Sequence, residues 1–192
     1  MAEPCENCEL DFCEAYASGV MNTFRKLRRY KATMDVNILA GDSPVAVPAH
    51  QALLCSSSNY FACWFSIRPA NEDRHVVEAK AFDRFAVSKV IDLVYAMDDP
   101  YPLLYELLAP CRAESKGQML LGVELVFDVY DVAVRWEIAG LPDLIQTAIL
   151  AEEIINPTTA TEVLARAKRS GATDIVEVCN EIQMQESFSR DL

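Results

Sequence analysis

Val47-Pro48-Ala49-His50-Gln51-Ala52-Leu53-Leu54-Cys55-Ser56-Ser57-Ser58-Asn59-Tyr60-Phe61-Ala62-Cys63-Trp64-Phe65 is the stretch whose reading decides the fold. It runs from the end of a strand into a short helix, Gln51 to Cys55, then through a Ser/Asn break into a second helix from Asn59. Asn59 has the chemistry of an N-cap, because a short side-chain oxygen there satisfies a free amide one turn on. Leu53, Leu54, Tyr60, Phe61, Trp64 and Phe65 are too dense for a solvated loop, so this helical hairpin is expected in the core.

Upstream, Met34 to Ala40 alternates around Met34, Val36 and Ile38, Gly41-Asp42-Ser43-Pro44 turns the chain, and Val45 to Val47 returns. That pattern predicts a β-hairpin. Downstream, Ile67 to Arg74 reads as a polar loop and His75 to Ala79 as a third short strand. Ala81 to Met97 is an amphipathic helix with Phe82, Phe85, Val90, Ile91, Val94 and Tyr95 as its buried stripe. Residues 98–122 are the irregular part: Pro100 and Pro102 lack amide donors and break the helix, and Leu103 to Leu108 carries one apolar turn.

Helical spacing resumes from Val123 to Trp136, with Gly140 as its capping residue. Pro142 suits the first turn of a helix buried through Leu141, Leu144, Ile145, Ala148 and Ile149. Thr159 and Glu162 have capping-box spacing ahead of Val163, Leu164 and Ala167, and Gly171 ends that helix. The last helix buries Ile175, Val178, Cys179 and Ile182. Strands early and helices late predict an α+β domain followed by a helical pair.

At 192 residues the chain accommodates one domain with a core and a helical appendage. A net charge of −12 argues against nucleic acid or an anionic membrane as the main partner. No apolar run approaches the ~20 residues that span a bilayer. The first residues mix acids with cysteines and lack the basic start and apolar run of a secretory signal. An intracellular location, cytoplasm or nucleus, is therefore expected, with the seven cysteines as free thiols. From Glu9, the residues Phe12, Tyr16, Val20, Phe24 and Leu27 recur at helical spacing. The basic end of that helix, Arg25 to Lys31, complements the helix dipole.

An ordered set of residues resembles the BTB/POZ family: Asp35-Val36, Pro48-Ala49-His50, Leu53-Leu54, Ser56-Ser57, Tyr60-Phe61 and Phe65. Flanking matches extend the likeness over residues 30 to 185. The resemblance implies a small three-stranded sheet flanked by helical hairpins, with a C-terminal helical pair. It divides the chain into an N-terminal arm and dimerisation helix (1–30), a BTB/POZ domain (31–150, with an insertion at 98–122) and a helical extension like the start of a BACK region (151–187).

It further implies a non-enzymatic, homodimerising protein-interaction module. The leading helix commonly crosses to the second protomer in this family, which assigns Phe12, Tyr16, Val20, Phe24 and Leu27 to the dimer interface. Many members dock on a cullin scaffold of a ubiquitin ligase as substrate adaptors. Here the docking surface would be the loop from Ile67 to Asp73 with the helix pair after residue 122, and its candidates are Phe65, Ile67, Ala70 and Glu72. The family's loop motif is a hydrophobic residue, any residue, then Glu; Ala70-Asn71-Glu72 supplies the Glu with Ala in the hydrophobic place. The alternative is a homo-oligomerising transcriptional regulator or scaffold without a ligase role. No kelch repeat or zinc finger follows in the sequence, so substrate choice would fall to the insertion, the arm or a partner. In the insertion Tyr101, Leu103, Leu104 and Leu107 stand forward, either packed on their own domain or presented to a partner.

Catalytic and metal chemistry is weakly signalled. Asp35, His50 and Ser56 invite a triad, but no Gly-x-Ser-x-Gly turn is present, and Asp35, His50, Tyr60 and Phe61 are read as structural. The six glycines are isolated, so no phosphate-cradling loop forms. Cys5-x-x-Cys8 with Cys13 offers three thiolates without a fourth ligand, among acids that raise thiol pKa. No cofactor and no metal is expected.

Overall fold

The computed structural model describes Thr23 and residues 26–68, 75–113, 115–152 and 154–190, the side chains as far as 185. Strands β1 (Val36–Ala40), β2 (Val47–Ala49) and β3 (His75–Ala79) form a sheet in the order β2-β1-β3. β1 runs antiparallel to β2, with Val36 opposite Ala49, and parallel to β3, with Val36 opposite His75. Val36, Ile38 and Ala40 share the buried face of β1, and a slip of one residue would turn all three outward. The return strand covers Val47–Ala49 rather than Val45 to Val47. Pro48 can sit there because β2 is an edge strand: a residue without an N–H fits with its carbonyl turned away from the ladder. Arg28 Nη1 donates to that carbonyl at 2.8 Å.

Eight α-helices complete the described residues: α1 (Gln51–Ser57), α2 (Asn59–Ser66), α3 (Arg84–Tyr95), α4 (Tyr101–Leu108), α5 (Lys116–Arg135), α6 (Leu141–Ala151), α7 (Ala160–Ser170) and α8 (Thr173–Arg190). The mixed sheet with these helices is the expected α+β architecture. The helix ends differ from the sequence reading in instructive ways. Ser58, not Asn59, caps α2: its Oγ accepts from Phe61 N at 3.1 Å and donates to the carbonyl of Trp136, at the far end of α5. One hydroxyl thus starts a helix and ties the hairpin to the following helical layer. Ala139 N donates to Ser57 O at 2.9 Å beside it.

α3 starts at Arg84 because Asp83 accepts from Phe85 N at 2.7 Å. That start leaves Phe82 outside the helix, partly buried edge-on to Trp136, and turns Phe85 to solvent at 42% exposure, against the expected buried stripe. Val90, Ile91, Val94 and Tyr95 are buried as their spacing required. Gly140 (φ 70°) opens α6 instead of capping α5, which ends at Trp136. Thr159 makes no capping box; its hydroxyl donates back to Ile154 O at 2.9 Å. Gly171 (φ 72°) does end α7.

The largest difference lies in 98–122. This segment is mostly helical: α4, a 3-10 turn over Ala109–Arg112, and α5 beginning at Lys116 rather than Val123. Ser115 caps α5 by accepting from Gln118 N at 3.2 Å. Gly122 then allows α5 to lie directly on the 3-10 turn, since a Cβ at 122 would stand 2.6 Å from Pro110 C and from Cys111 N. Leu104, Leu107, Leu108 and Cys111 are buried beneath this contact.

The core is continuous from Val36 in β1 to Cys179 in α8. Val163, Ala167, Ile175 and Cys179 of the last two helices are fully buried in it. Val178 and Ile182, expected with them, are half-buried.

Candidate interaction surface

The junction between β2 and α1 holds the two residues with the most chemistry. Asp35 Oδ1 accepts from Gln51 N at 2.7 Å, so a side chain from beside β1 satisfies the first amide of α1. His50 stands at the N-cap of α1, and its side chain makes no capping bond. Its ring is held in a relay instead. Thr33 Oγ1 donates to Tyr30 O at 2.9 Å, so it receives the Nε2–H of His50, also at 2.9 Å. Tyr95 Oη receives the backbone N–H of His50 at 2.9 Å, which leaves the phenol hydrogen for Nδ1 at 2.5 Å. The relay therefore fixes the neutral Nε2–H tautomer. Desolvation lowers the His50 pKa below 6.5, opposed by Asp35 and assisted by Arg28. Ser56 Oγ is turned to Leu53 O at 2.9 Å, so Asp35, His50 and Ser56 are each engaged elsewhere. Nothing here builds a nucleophile and its base.

The α2 face sorts the docking candidates. Phe61 is fully buried, with Trp136 at 5.0 Å and Phe65 at 6.2 Å between ring centroids. Tyr60 is half-buried against Phe61. Phe65 is core as well, packed on Trp64 and His75, and is corrected from surface candidate to structural residue. Ile67 is the outward residue, 83% exposed, and Arg68 lies over the Trp64 ring at 3.4 Å beside it. Ala70 and Glu72 lie outside the described residues, as do Phe12, Tyr16, Val20 and Phe24. Leu27 is half-buried. Next to it Arg28 grips Asp92 through Nε at 2.9 Å and Nη2 at 2.8 Å, and lies 5.3 Å from the Tyr95 ring centroid.

α4 splits the recognition candidates. Leu104 and Leu107 are buried, which corrects them to core; Leu103 is partly buried and Tyr101 is 63% exposed. Tyr101 and Tyr105 wall a cleft of about 360 Å³ floored by Ala148 and Ala151 of α6. Arg112 stacks on Tyr105 at 4.3 Å and pairs with Glu152 at its rim. A second cleft of about 340 Å³ lies on the other side of α4, between Leu103 and Arg28.

The buried thiols are unreactive: burial pushes Cys111 and Cys179 up to about 11. Among the described residues no group of His, Cys, Asp or Glu could hold a metal ion, and no helix is long and apolar enough to cross a membrane. The Cys5, Cys8 and Cys13 set lies outside the described residues.

One cluster was missed by reading the sequence. Arg166 of α7, 7% exposed, binds Glu124 (2.9 Å), Asp128 (2.7 Å) and Asp131 (2.8 Å) of α5, and covers the Phe127 ring. Desolvation raises the Asp128 carboxyl, and Glu124 and Asp131 push it the same way; Arg166 offsets this only in part. The signal was present as three acids at helical spacing opposite one basic residue in an apolar face.

Comparison with known proteins bears on residues in this junction and hairpin. The family model of the BTB/POZ domain matches residues 24–99. Kelch-like protein 9 of Mus musculus is 26% identical over 95 residues, 48% of this chain and 15% of that protein. Kelch-like protein 13 of Homo sapiens and that of Bos taurus are each 28% identical over 80 residues, 42% of this chain and 12% of those proteins. The matched part of the chain thus spans under a sixth of the length of these relatives.

Proposed function

Residues 24–99 are a BTB/POZ domain, a protein-interaction module, and on that premise we propose that the chain self-associates and serves as a substrate adaptor for a cullin-RING ubiquitin ligase. The observation that carries the reading is the exposed Ile67, the residue after α2, which precedes Ala70 and Glu72 in the sequence. An isolated aliphatic side chain at this exposure gains its hydrophobic stabilisation only when a partner covers it, by about 1.5–3 kcal/mol. Self-association would use the leading helix through Phe12, Tyr16, Val20, Phe24 and Leu27. Helices α7 and α8 would be the start of a BACK-like extension, carried on the domain by their shared core.

The test is binding of the purified chain to a cullin scaffold, with Ile67→Asp and Glu72→Lys as variants and light scattering as the measure of assembly. Saturable binding lost in Ile67→Asp supports the adaptor reading; no binding by the unaltered chain refutes it. Ala70 in the hydrophobic position favours the second reading, a homo-oligomerising transcriptional regulator or scaffold with no ligase role. A stable dimer that ignores the cullin would select it. A monomer at tens of micromolar would remove self-association from both readings.

A further inference from the structure

A third cleft, of about 410 Å³, lies between the edge of β2 and the start of α3. In a chain of net charge −12 its charged lining is wholly basic: Arg28, Lys31 and Arg84, with Asn37 and Ser88 as further hydrogen-bonding groups. Arg28 is used up by Asp92 and Pro48 O. Arg84 spends only Nε, on Val45 O at 3.1 Å, and both its terminal nitrogens remain available. Lys31 is exposed and has no ion-pair partner among the described residues. Among the apolar lining residues Val45 is turned to solvent, beside Ala46 and Val47. The cleft therefore suits an acidic segment with an occasional apolar side chain.

We propose that its occupant is the chain's own segment 3–11. Glu3, Glu6, Glu9 and Asp11 fall there around Leu10, and no Lys or Arg precedes Arg25. Residues 12–27 join the acidic segment to Arg28 and Lys31 on the cleft wall, and a tether of that length raises its effective concentration beside the cleft. Two free cationic groups and two neutral hydrogen-bonding side chains then receive its carboxylates. This contact would cover the cleft until a competing acidic partner displaces it. It is independent of the ligase reading, because it uses neither Ile67 nor the loop after it.

The experiment is amide hydrogen exchange on the full chain, read over segments 1–12, 44–48 and 84–89. Lys31→Glu with Arg84→Glu should speed exchange in segment 1–12 several-fold, as should raising the salt to 1 M. Both sites are exposed, and the milder pair Lys31→Gln with Arg84→Gln should give the same change in smaller degree. Reversing the four acids (Glu3→Lys, Glu6→Lys, Glu9→Lys, Asp11→Lys) in the Lys31→Glu, Arg84→Glu background should restore slow exchange. Protection retained on dilution places the segment in its own cleft, and protection lost on dilution places it in that of a second copy; either supports the proposal. Exchange in segment 1–12 indifferent to cleft charge overturns it. So does a cleft that added poly-glutamate protects while the chain's own acids make no difference, an outcome that assigns it to a foreign acidic segment.

Discussion

Gly117 and Gly122 stand in the same helix, α5, and their replacement by alanine should move stability in opposite directions. Alanine in a helix interior is favoured over glycine by about 0.8–1.0 kcal/mol. At Gly117 a Cβ would meet nothing within 4 Å, so Gly117→Ala should gain part of that, about 0.5 kcal/mol for a first-turn position. At Gly122 the same methyl would stand 2.6 Å from Pro110 C and from Cys111 N, and 3.0 Å from Pro110 Cβ. The two nearest atoms are backbone, so α5 or the 3-10 turn must shift bodily. Overpacking of this kind costs about 1–3 kcal/mol, occasionally more, and exceeds the propensity gain. The expected outcome is a net loss of up to about 2 kcal/mol, or up to roughly 8 °C in Tm for a chain of this size. Paired thermal melts of the two variants, with urea midpoints as a second measure, give the comparison. If Gly122→Ala melts at or above the unaltered protein, the close contact between α5 and the turn at 109–112 is wrong, and with it the self-packed account of this segment.

Leu104→Ala should cost about 2–5 kcal/mol as a cavity in the core, whereas Tyr101→Ala on the same helix should change the urea midpoint little. Ser58→Ala removes a cap and a tie to Trp136 O together, and should cost about 1–2 kcal/mol by chemical denaturation. Arg166→Met leaves Glu124, Asp128 and Asp131 to repel one another; because the three carboxylates are partly solvated, a loss of about 1–3 kcal/mol is expected, shrinking as salt is raised. The folded-state pKa of His50 is lowered, so the unfolded chain binds the proton more readily. Its contribution is fully present above pH 6.5 and is lost as pH falls toward the folded value. His50→Gln should flatten the stability profile as pH falls below 6.5, and an unchanged slope would deny the neutral relay.

What was legible in the sequence was whatever a short window determines. The alternation of β1, the density of Leu53, Leu54, Phe61 and Phe65, and the prolines at helix starts all express local periodicity or local backbone chemistry. Asp35 and His50 stand out in the sequence at the strand-to-helix junction, though only coordinates show that the carboxylate caps α1 and that Tyr95 and Thr33 hold the imidazole. The errors share a cause. Ser58 surpassed Asn59 as a cap because it also reaches Trp136, a partner 78 residues away. Residues 98–122 looked irregular because Gly117, Gly122 and the prolines weaken helix propensity, yet tertiary contact overrides that weakness and even requires Gly122. Phe65 was legible as core and yet also a docking candidate, and Leu104 and Leu107 were left open between core and partner, since hydrophobicity alone does not say on which side of a helix the core lies.

The edge of the sheet at β2 offers other chains little to grip. A neighbouring strand extends a sheet by alternately taking and giving backbone hydrogen bonds, and Pro48 sits mid-strand with no hydrogen to give. Its carbonyl, the group left to take one, is already occupied by Arg28, and Val45 O just beyond the strand is occupied by Arg84. Zippering of copies along this margin would have to evict two guanidinium groups and still skip a rung. Association at this side of the molecule is thereby left to side chains, whose fit discriminates between partners in a way that a bare peptide edge does not.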